Sequence, residues 1–405
     1  MKKIILLLIT AALFSYFIPN YGETREVSVG KYQLYIPSNI DSPDFVYLVT
    51  HFPGGFLQSN TRISRPLYVA MAVIPYSILK HIIPVPPSIN DQVVSALAGS
   101  DRSSLWADTS GQEVAAAWGS LLCINFLLAF FALYFIRQGL QRAGLKEFQL
   151  FGILLLLLSF KFDTQILIPH TEMFDLLIPA YVFYLVSPVL GKEAIQQSEK
   201  WDTFHLAIIG ILFLGKAILF LYVICIWGWF RLYGIKGIWK PIVILPLFNI
   251  LYIIFFKISG IPYYQHEMEV YRQGVWFFDL TREQGFFSAV YMGFQKVIQI
   301  AYMTVSTFAP EIIIGTVFLI AGSDSAAISF PRQLKEFFVI YTASFLAFWT
   351  LIGYYPNRLI FTFYPVSISI LAVLYYRIAS DRRKPLLYGI CIIYTFISFA
   401  TTITV

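Results

Sequence analysis

Charged side chains are scarce in this chain of 405 residues, of which 13% are Asp, Glu, Lys or Arg and 58% are hydrophobic. Soluble globular proteins carry about 25% charged residues. Apolar runs extend from one end of the chain to the other, so no stretch remains that could form a sizeable soluble domain. The composition excludes a soluble enzyme with one anchor. It predicts an all-α polytopic integral membrane protein with a single transmembrane domain, residues 1–405.

Cysteine and the common catalytic motifs are also scarce. The three cysteines, Cys123, Cys225 and Cys391, stand inside apolar runs, which is typical of small core residues and not of disulfides or metal ligands. The sequence has no His-Glu-x-x-His, Cys-x-x-Cys, P-loop or Gly-x-Ser-x-Gly motif. The net charge of +6 includes no basic run with interleaved aromatics, so nucleic acid is not an expected partner. No metal site or cofactor is predicted, and a bound divalent cation has no motif behind it.

The apolar runs predict about eleven spans. Lys2 and Lys3 precede a first run that ends at Ile18 without a small-residue cleavage site, which favours an uncleaved span with a cytoplasmic N-terminus. Residues 20–113 then form a first external loop, and 258–287 form a second. The later apolar segments are 115–136, 148–168, 173–190, 203–214 with 217–230 (broken at Gly215-Lys216), 241–257, 288–322 (an interfacial helix plus a span, kinked near Pro310), 337–353, 359–376 and 386–404.

One stretch of the first loop, 67–83, is apolar but short and contains Pro75. We interpret it as an interfacial or re-entrant helix, because a span needs about 20 apolar residues. A full span here is the alternative, and it would invert everything downstream. The basic residues favour the single loop, since short segments on the predicted inner side hold 16 of the 29 and the loop 20–113 holds six. The sixteen are Lys2, Lys3, Arg137, Arg142, Lys146, Lys192, Lys200, Arg231, Lys236, Lys240, Arg332, Lys335, Arg377, Arg382, Arg383 and Lys384.

With this topology, ionisable residues from five separate segments face the outer side, in what we expect to be a plasma or inner membrane. Ionisable groups at the edge of so apolar a chain are candidates for function. Each also has a simpler explanation, such as a helix cap for an acid or a lipid headgroup contact for an arginine. The candidates are Asp41, Asp44, Tyr47, His51, Arg62, Arg65, His170, Glu172, Lys216, His266, Glu267 and Arg358.

The arrangement resembles the GT-C superfamily of membrane glycosyltransferases, which take sugars from polyprenyl-phosphate donors. The likeness spans the whole chain in layout and rests on short stretches: Asp44-Phe45-Val46-Tyr47 early in a long external loop, Arg62-Ile63-Ser64-Arg65-Pro66-Leu67-Tyr68 before an apolar helix, Thr171-Glu172-Met173-Phe174 at the start of a span, Arg358 through Pro365 at the head of a late span, and Lys216 after a short apolar helix. The chain lacks the C-terminal soluble domain of larger members and the adjacent Asp-Glu pair that many show.

The resemblance implies an inverting transfer of a sugar from a lipid-linked donor to a lipid or glycan acceptor of the cell envelope. Asp44 would be the general base and Asp41 the second candidate for that role. Arg358 and Lys216 would stabilise the leaving phosphate, and the remaining candidates would bind substrate. Two other functions fit the same charges: a transporter or flippase of a lipid-linked or anionic solute, and a non-catalytic accessory subunit on a similar scaffold.

Overall fold

A computed structural model describes residues 4–5, 23–29, 32–38, 41–57, 61–98, 106, 108–157, 166–190, 203–261, 274–307, 332–353, 362–378 and 384–403. This part of the chain is helical apart from one hairpin. Its strands are β1 (Glu23–Val29) and β2 (Tyr32–Ser38). Its α-helices are α1 (Ser42–Thr50), α2 (Pro66–Ile82), α3 (Asn90–Ala98), α4 (Gly111–Arg142), α5 (Glu147–Leu157), α6 (Glu172–Leu190), α7 (Thr203–Leu212), α8 (Phe220–Tyr233), α9 (Trp239–Ile258), α10 (Trp276–Gln284), α11 (Phe286–Thr307), α12 (Arg332–Ile352), α13 (Tyr364–Ile378) and α14 (Lys384–Ile403).

The membrane character of the chain is supported by its long helices. Among the residues that the structure describes, four helices, α4, α6, α9 and α12, are long and apolar enough to cross a membrane. Six shorter apolar helices accompany them, and each apolar segment predicted after residue 113 overlaps a helix. The helical membrane class is therefore confirmed in this general form. The number of spans and the side of the membrane that each loop faces remain predictions.

The all-α prediction did not include this hairpin. Glu23 pairs with Ser38 and Val29 with Tyr32, in antiparallel register. The signal was present, because Val27 and Val29 alternate with polar residues and a Gly-Lys pair follows before the second strand. This alternation is short, and the mixed composition of the surrounding loop did not favour regular structure.

The longest helix, α4, is defined at its start by a capping box. The Ser110 Oγ accepts from the backbone N–H of Glu113 at 3.3 Å, and the Glu113 carboxylate accepts from the Ser110 N–H at 2.9 Å. This pairing satisfies two of the free N–H groups at a helix N-terminus. The 32 residues that follow correspond to about 48 Å of helix, which exceeds the thickness of the hydrocarbon core.

The helices α4 and α6 run in the same direction. Near the start of α6, Asn125 of α4 donates to the carbonyls of Ile166 and Ile168, at 3.2 and 2.7 Å. Towards the end of α6, the Arg142 guanidinium donates to the Tyr184 hydroxyl at 2.6 Å. Two parallel neighbours are what a single return segment between them, predicted at 148–168, would produce.

Helix α2 lies beside only the first half of α4. Tyr68, in its first turn, donates to the Asn125 side chain at 2.9 Å. In its last turn, the Lys80 carbonyl accepts from Gln112 at 2.6 Å. The helix thus runs from the middle of α4 back to its Gly111 end and does not reach its Arg142 end. Its assignment as an interfacial or re-entrant helix, with a full span as the alternative, stays a prediction.

The predicted break at Gly215-Lys216 is present as a turn between α7 and α8. A Cβ atom on Gly215 would lie 2.4 Å from the Phe174 ring of α6, so only glycine allows the turn to approach α6 this closely. The predicted segment 288–322 begins inside α11. This helix meets α10 at Gly285, where φ is +88°. Pro310, where the sequence predicted a kink, lies outside the described residues.

Candidate functional site

Polar side chains meet from four places in the chain: the start of α1, the residues before α2, the turn into α6, and the turn between α7 and α8. We call this group the polar cluster, and it comprises Asp41, Asp44, Arg62, Arg65, His170, Thr171, Glu172, Asp175 and Lys216. Most of its members are buried within apolar helices. Burial of several ionisable groups is costly unless they are paired, and such groups in membrane helices are candidates for function.

Asp41 is the most connected acid of the polar cluster. Its carboxylate forms an ion pair with the Arg62 guanidinium and accepts from His170 Nε2 at 2.9 Å. Burial raises the pKa of Asp41, but the hydrogen bond from His170 and the charge of Arg62 outweigh it and hold that pKa below its usual value. Asp41 occupies the N-cap position of α1, yet its side chain makes no capping bond. The explanation of Asp41 as a plain helix cap is therefore wrong.

Asp44 lies in the first turn of α1, next to a proline that suits this position. Its carboxylate is 3.9 Å from the Arg62 Nε, so Arg62 stands between the two acids of the helix start. The residue is 7% exposed. Asp44 is thus held near a cation at a longer distance than Asp41 is.

His170 connects the first loop to α6. Its ring donates to Asp41 through Nε2, while Nδ1 lies 3.5 Å from a carboxylate oxygen of Glu172. Phe45 of α1 packs edge-on against the imidazole, with 5.7 Å between ring centroids. Burial lowers the pKa of His170 more than its contact with Asp41 raises it, so the ring is neutral at pH 7.

The remaining cations also have protein partners. Arg65 donates to the Thr171 hydroxyl at 2.7 Å, which ties the start of α2 to the start of α6. Lys216, in the turn between α7 and α8, forms an ion pair with Asp175. The charges of Arg65 and Glu172 also act on Lys216. The positive charges of Arg65 and Lys216 therefore act on one another, although two separate segments supply them.

Next to the polar cluster lies a network of uncharged hydrogen-bonding groups, Tyr68, Asn125 and the carbonyls of Ile166 and Ile168. Asn125 of α4 accepts from Tyr68 and donates to the two carbonyls of the turn that leads to His170. Both side chains are fully buried. We did not identify either as a candidate from the sequence, although an amide inside the apolar run 115–136 was a usable signal.

Tyr47 and His51 belong to a different group. They lie one and two turns along α1 from Asp44, and their rings stack with centroids 4.2 Å apart. Trp106 meets the edge of both rings. The structure therefore divides the predicted substrate residues into an ionic group and an aromatic group. Arg358, His266 and Glu267 lie outside the described residues, so their predicted roles stay predictions.

The neutral state of His170 has a consequence for stability. A histidine whose folded pKa lies below 6.5 stabilises the folded state above that pH, and the contribution is lost as the pH falls from 6.5 towards the folded value. We expect the melting temperature of the purified protein to fall between pH 7 and pH 5. We expect the His170→Gln variant to show a flatter pH dependence, as measured by thermal unfolding in detergent.

The matched control is His81→Gln, which changes an exposed histidine of α2. This variant should follow the wild-type pH dependence. If His170→Gln and wild type lose stability in parallel between pH 7 and pH 5, the neutral, buried imidazole is the wrong description of His170.

The polar cluster thus contains a carboxylate near a cation, Asp44 near Arg62, and two further cations, Arg65 and Lys216. Among the residues that the structure describes, no three or more His, Cys, Asp or Glu side chains are placed to hold a metal ion. Comparison of the chain with protein-family models, with curated proteins and with solved structures found no match.

Proposed function

We propose that the protein is a membrane glycosyltransferase that moves a sugar from a polyprenyl-phosphate donor to a lipid or glycan acceptor. The observation that carries the proposal is the polar cluster, which joins carboxylates of the first loop to cations in a buried setting. A transferase with an anionic leaving group needs a base on one side of the reacting carbon and positive charge on the other. The two kinds of group lie within one cluster here.

Asp44 is our candidate for the general base. Asp41 is engaged by both Arg62 and His170, and its pKa is lowered, so it is a weak proton acceptor. Asp44 has the longer contact with Arg62 and lies on the same helix as the aromatic group. We therefore assign Asp41 a positioning role: it holds Arg62 and His170, and through Arg62 it orients Asp44.

The reaction that we propose is a single displacement with inversion. The acceptor hydroxyl gives its proton to the Asp44 carboxylate while its oxygen bonds to the anomeric carbon. The bond between that carbon and the phosphate oxygen breaks, and its electron pair leaves with the polyprenyl phosphate. General-base assistance of this kind contributes about 10²–10⁴-fold to a rate.

Positive charge for the leaving phosphate would come from Lys216 and Arg65, and from Arg358 if the late loop meets the cluster. Arginine pairs well with phosphate oxygens because its planar guanidinium donates two parallel hydrogen bonds. The present partners of these cations, Asp175 and Thr171, would have to share them with the donor. In the proposed topology the cluster faces the outer side, with about eleven spans and a cytoplasmic N-terminus.

Lipid analysis of the purified protein tests the function directly. We expect mass spectrometry to find a polyprenyl-phosphate sugar with protein extracted in its native membrane. We also expect added donor to be converted to free polyprenyl phosphate in the presence of membrane extract. Donor that remains intact under these conditions, with a folded protein, would contradict the transferase proposal.

A transporter is the second candidate, and one contact favours it. The buried pair of Lys216 and Asp175 lies at the break between two short helices, and broken helices often form substrate sites in transporters. A transporter would move a lipid-linked or anionic solute across proteoliposomes and leave the donor bond intact. An accessory subunit would show neither flux nor turnover.

A further inference from the structure

The aromatic group beside Asp44 has polar atoms that the described protein does not satisfy. The group consists of Tyr47 of α1 and His51 at its C-cap, stacked at 22° between ring planes, with Trp106 in T-shaped contact at 5.6 Å from Tyr47 and 6.3 Å from His51. Residues three and four apart lie on one face of a helix, so Asp44, Tyr47 and His51 share a face.

The hydrogen bonds of His51 define its tautomer. The His51 Nδ1 lies 3.2 Å from the Tyr47 carbonyl oxygen, which can only accept, so Nδ1 carries the proton, and the Thr50 hydroxyl oxygen lies 2.8 Å from the same nitrogen. In the neutral ring the other nitrogen, Nε2, is then an acceptor. Within the part of the chain that the structure describes, Nε2 has no hydrogen-bond partner, and the ring is only partly buried.

Trp106 has a hydrogen-bond donor without a partner in the described chain, where His51 has an acceptor. Its side chain is 3% exposed, and its indole Nε1–H is buried without an acceptor among the described residues. The indole nitrogen can only donate. A buried donor without a partner is unfavourable, and buried polar groups in proteins nearly always find one. An acceptor supplied by a ligand would remove this cost.

We propose that Trp106, His51 and Tyr47 form the binding subsite for the sugar ring of the acceptor, which rests on the transferase function proposed above. A sugar hydroxyl both donates and accepts, so neighbouring hydroxyls match Trp106 Nε1 and His51 Nε2 together. The apolar faces of a sugar ring pack on aromatic side chains, and binding sites commonly combine aromatic walls with a few placed polar groups. One turn of α1 separates this subsite from Asp44, which brings an acceptor hydroxyl within reach of the base.

Glycoside binding tests the subsite without requiring turnover. The probes are methyl hexosides and methyl N-acetylhexosaminides, presented to the full chain in lipid nanodiscs and followed by saturation-transfer NMR. We expect wild type to bind at least one of them. We expect Trp106→Phe, which keeps the ring packing and removes the donor, to bind it about tenfold more weakly. The His51→Ala variant should lose binding further because it removes both a ring face and an acceptor.

The matched control is Trp227→Phe, which changes a tryptophan of α8 that packs against Phe337. This variant should bind the probe as wild type does. The subsite is overturned if no probe binds wild type, or if Trp106→Phe and His51→Ala bind as wild type does. Probe binding that depends on Trp106 in a protein that never turns over donor would retain the sugar subsite and reject the transferase.

Discussion

We expect the Asp44→Asn variant to lose sugar transfer by about 10²–10⁴-fold, the contribution of a positioned general base. Asparagine has nearly the same shape as aspartate but cannot accept the proton of the acceptor hydroxyl. Because the asparagine amide fills nearly the same space as the carboxylate, the substitution should leave the helix start and its contact with Arg62 in place. The measurement is donor turnover by purified protein, with melting temperature and donor binding recorded for the same preparation.

Two variants control this experiment. Asp91→Asn changes an exposed acid of α3 and should retain full activity. Asp41→Asn should lower activity less than Asp44→Asn does, through loss of the contacts that orient Arg62 and His170. Full transfer in both the Asp44 and the Asp41 variants would remove the proposed mechanism, and a larger loss in Asp41→Asn would exchange their roles.

We expect the protein to lose much of its stability when either member of the Asp41–Arg62 ion pair is removed. Both side chains are largely buried, at 5% and 16% exposed. Removal of one member of a buried pair leaves an uncompensated charge and typically costs about 3–5 kcal/mol. We therefore expect Asp41→Leu and Arg62→Met each to lower the free energy of unfolding by that amount. The double variant should lose clearly less than the sum of the two.

An exposed ion pair of the same chain is the control for this cycle. Arg137 and Glu147 form an ion pair in which the side chains are 23% and 59% exposed. Surface pairs contribute about 0–1 kcal/mol, so Arg137→Gln and Glu147→Gln should have small effects. Denaturant unfolding in mixed micelles measures all of these variants. Additive losses at Asp41 and Arg62 would show that the two side chains do not act as a pair.

Much of the helical organisation could be predicted from residue type alone. Apolar runs of about 20 residues predict spanning helices because unpaired backbone groups are too costly in hydrocarbon. The break at Gly215-Lys216 was predictable because a lysine cannot continue an apolar helix at low cost. The hairpin before Asp41 and the full length of α4 were not predicted. The alternation that marks a strand and the capping residues that mark a helix start each span only a few residues, so they are weak signals beside long apolar segments.

Several residues of the candidate site could be predicted from the sequence, but the contacts between them could not. The sequence indicated that Asp41, Asp44, His170 and Glu172 would gather on one side, because charge asymmetry places their segments on one side of the membrane. It gave no reason for His170 to join Asp41 and Glu172, or for Arg62 to stand between two acids. Side-chain pairing across 129 residues depends on how helices pack, and no local pattern encodes it.

The sequence by itself determined that this is a helical membrane protein whose ionisable residues are few and confined to particular loops, because hydrocarbon excludes charge and free backbone groups alike. Only the tertiary structure showed that Asp41 pairs with both Arg62 and His170, while Asp44 lies 3.9 Å from the Arg62 Nε. It also brought Trp106 to Tyr47 and His51, residues that no spacing connects. These contacts arise where α1 and α2 pack against the first half of α4, because helix packing brings side chains that are distant in the sequence into contact.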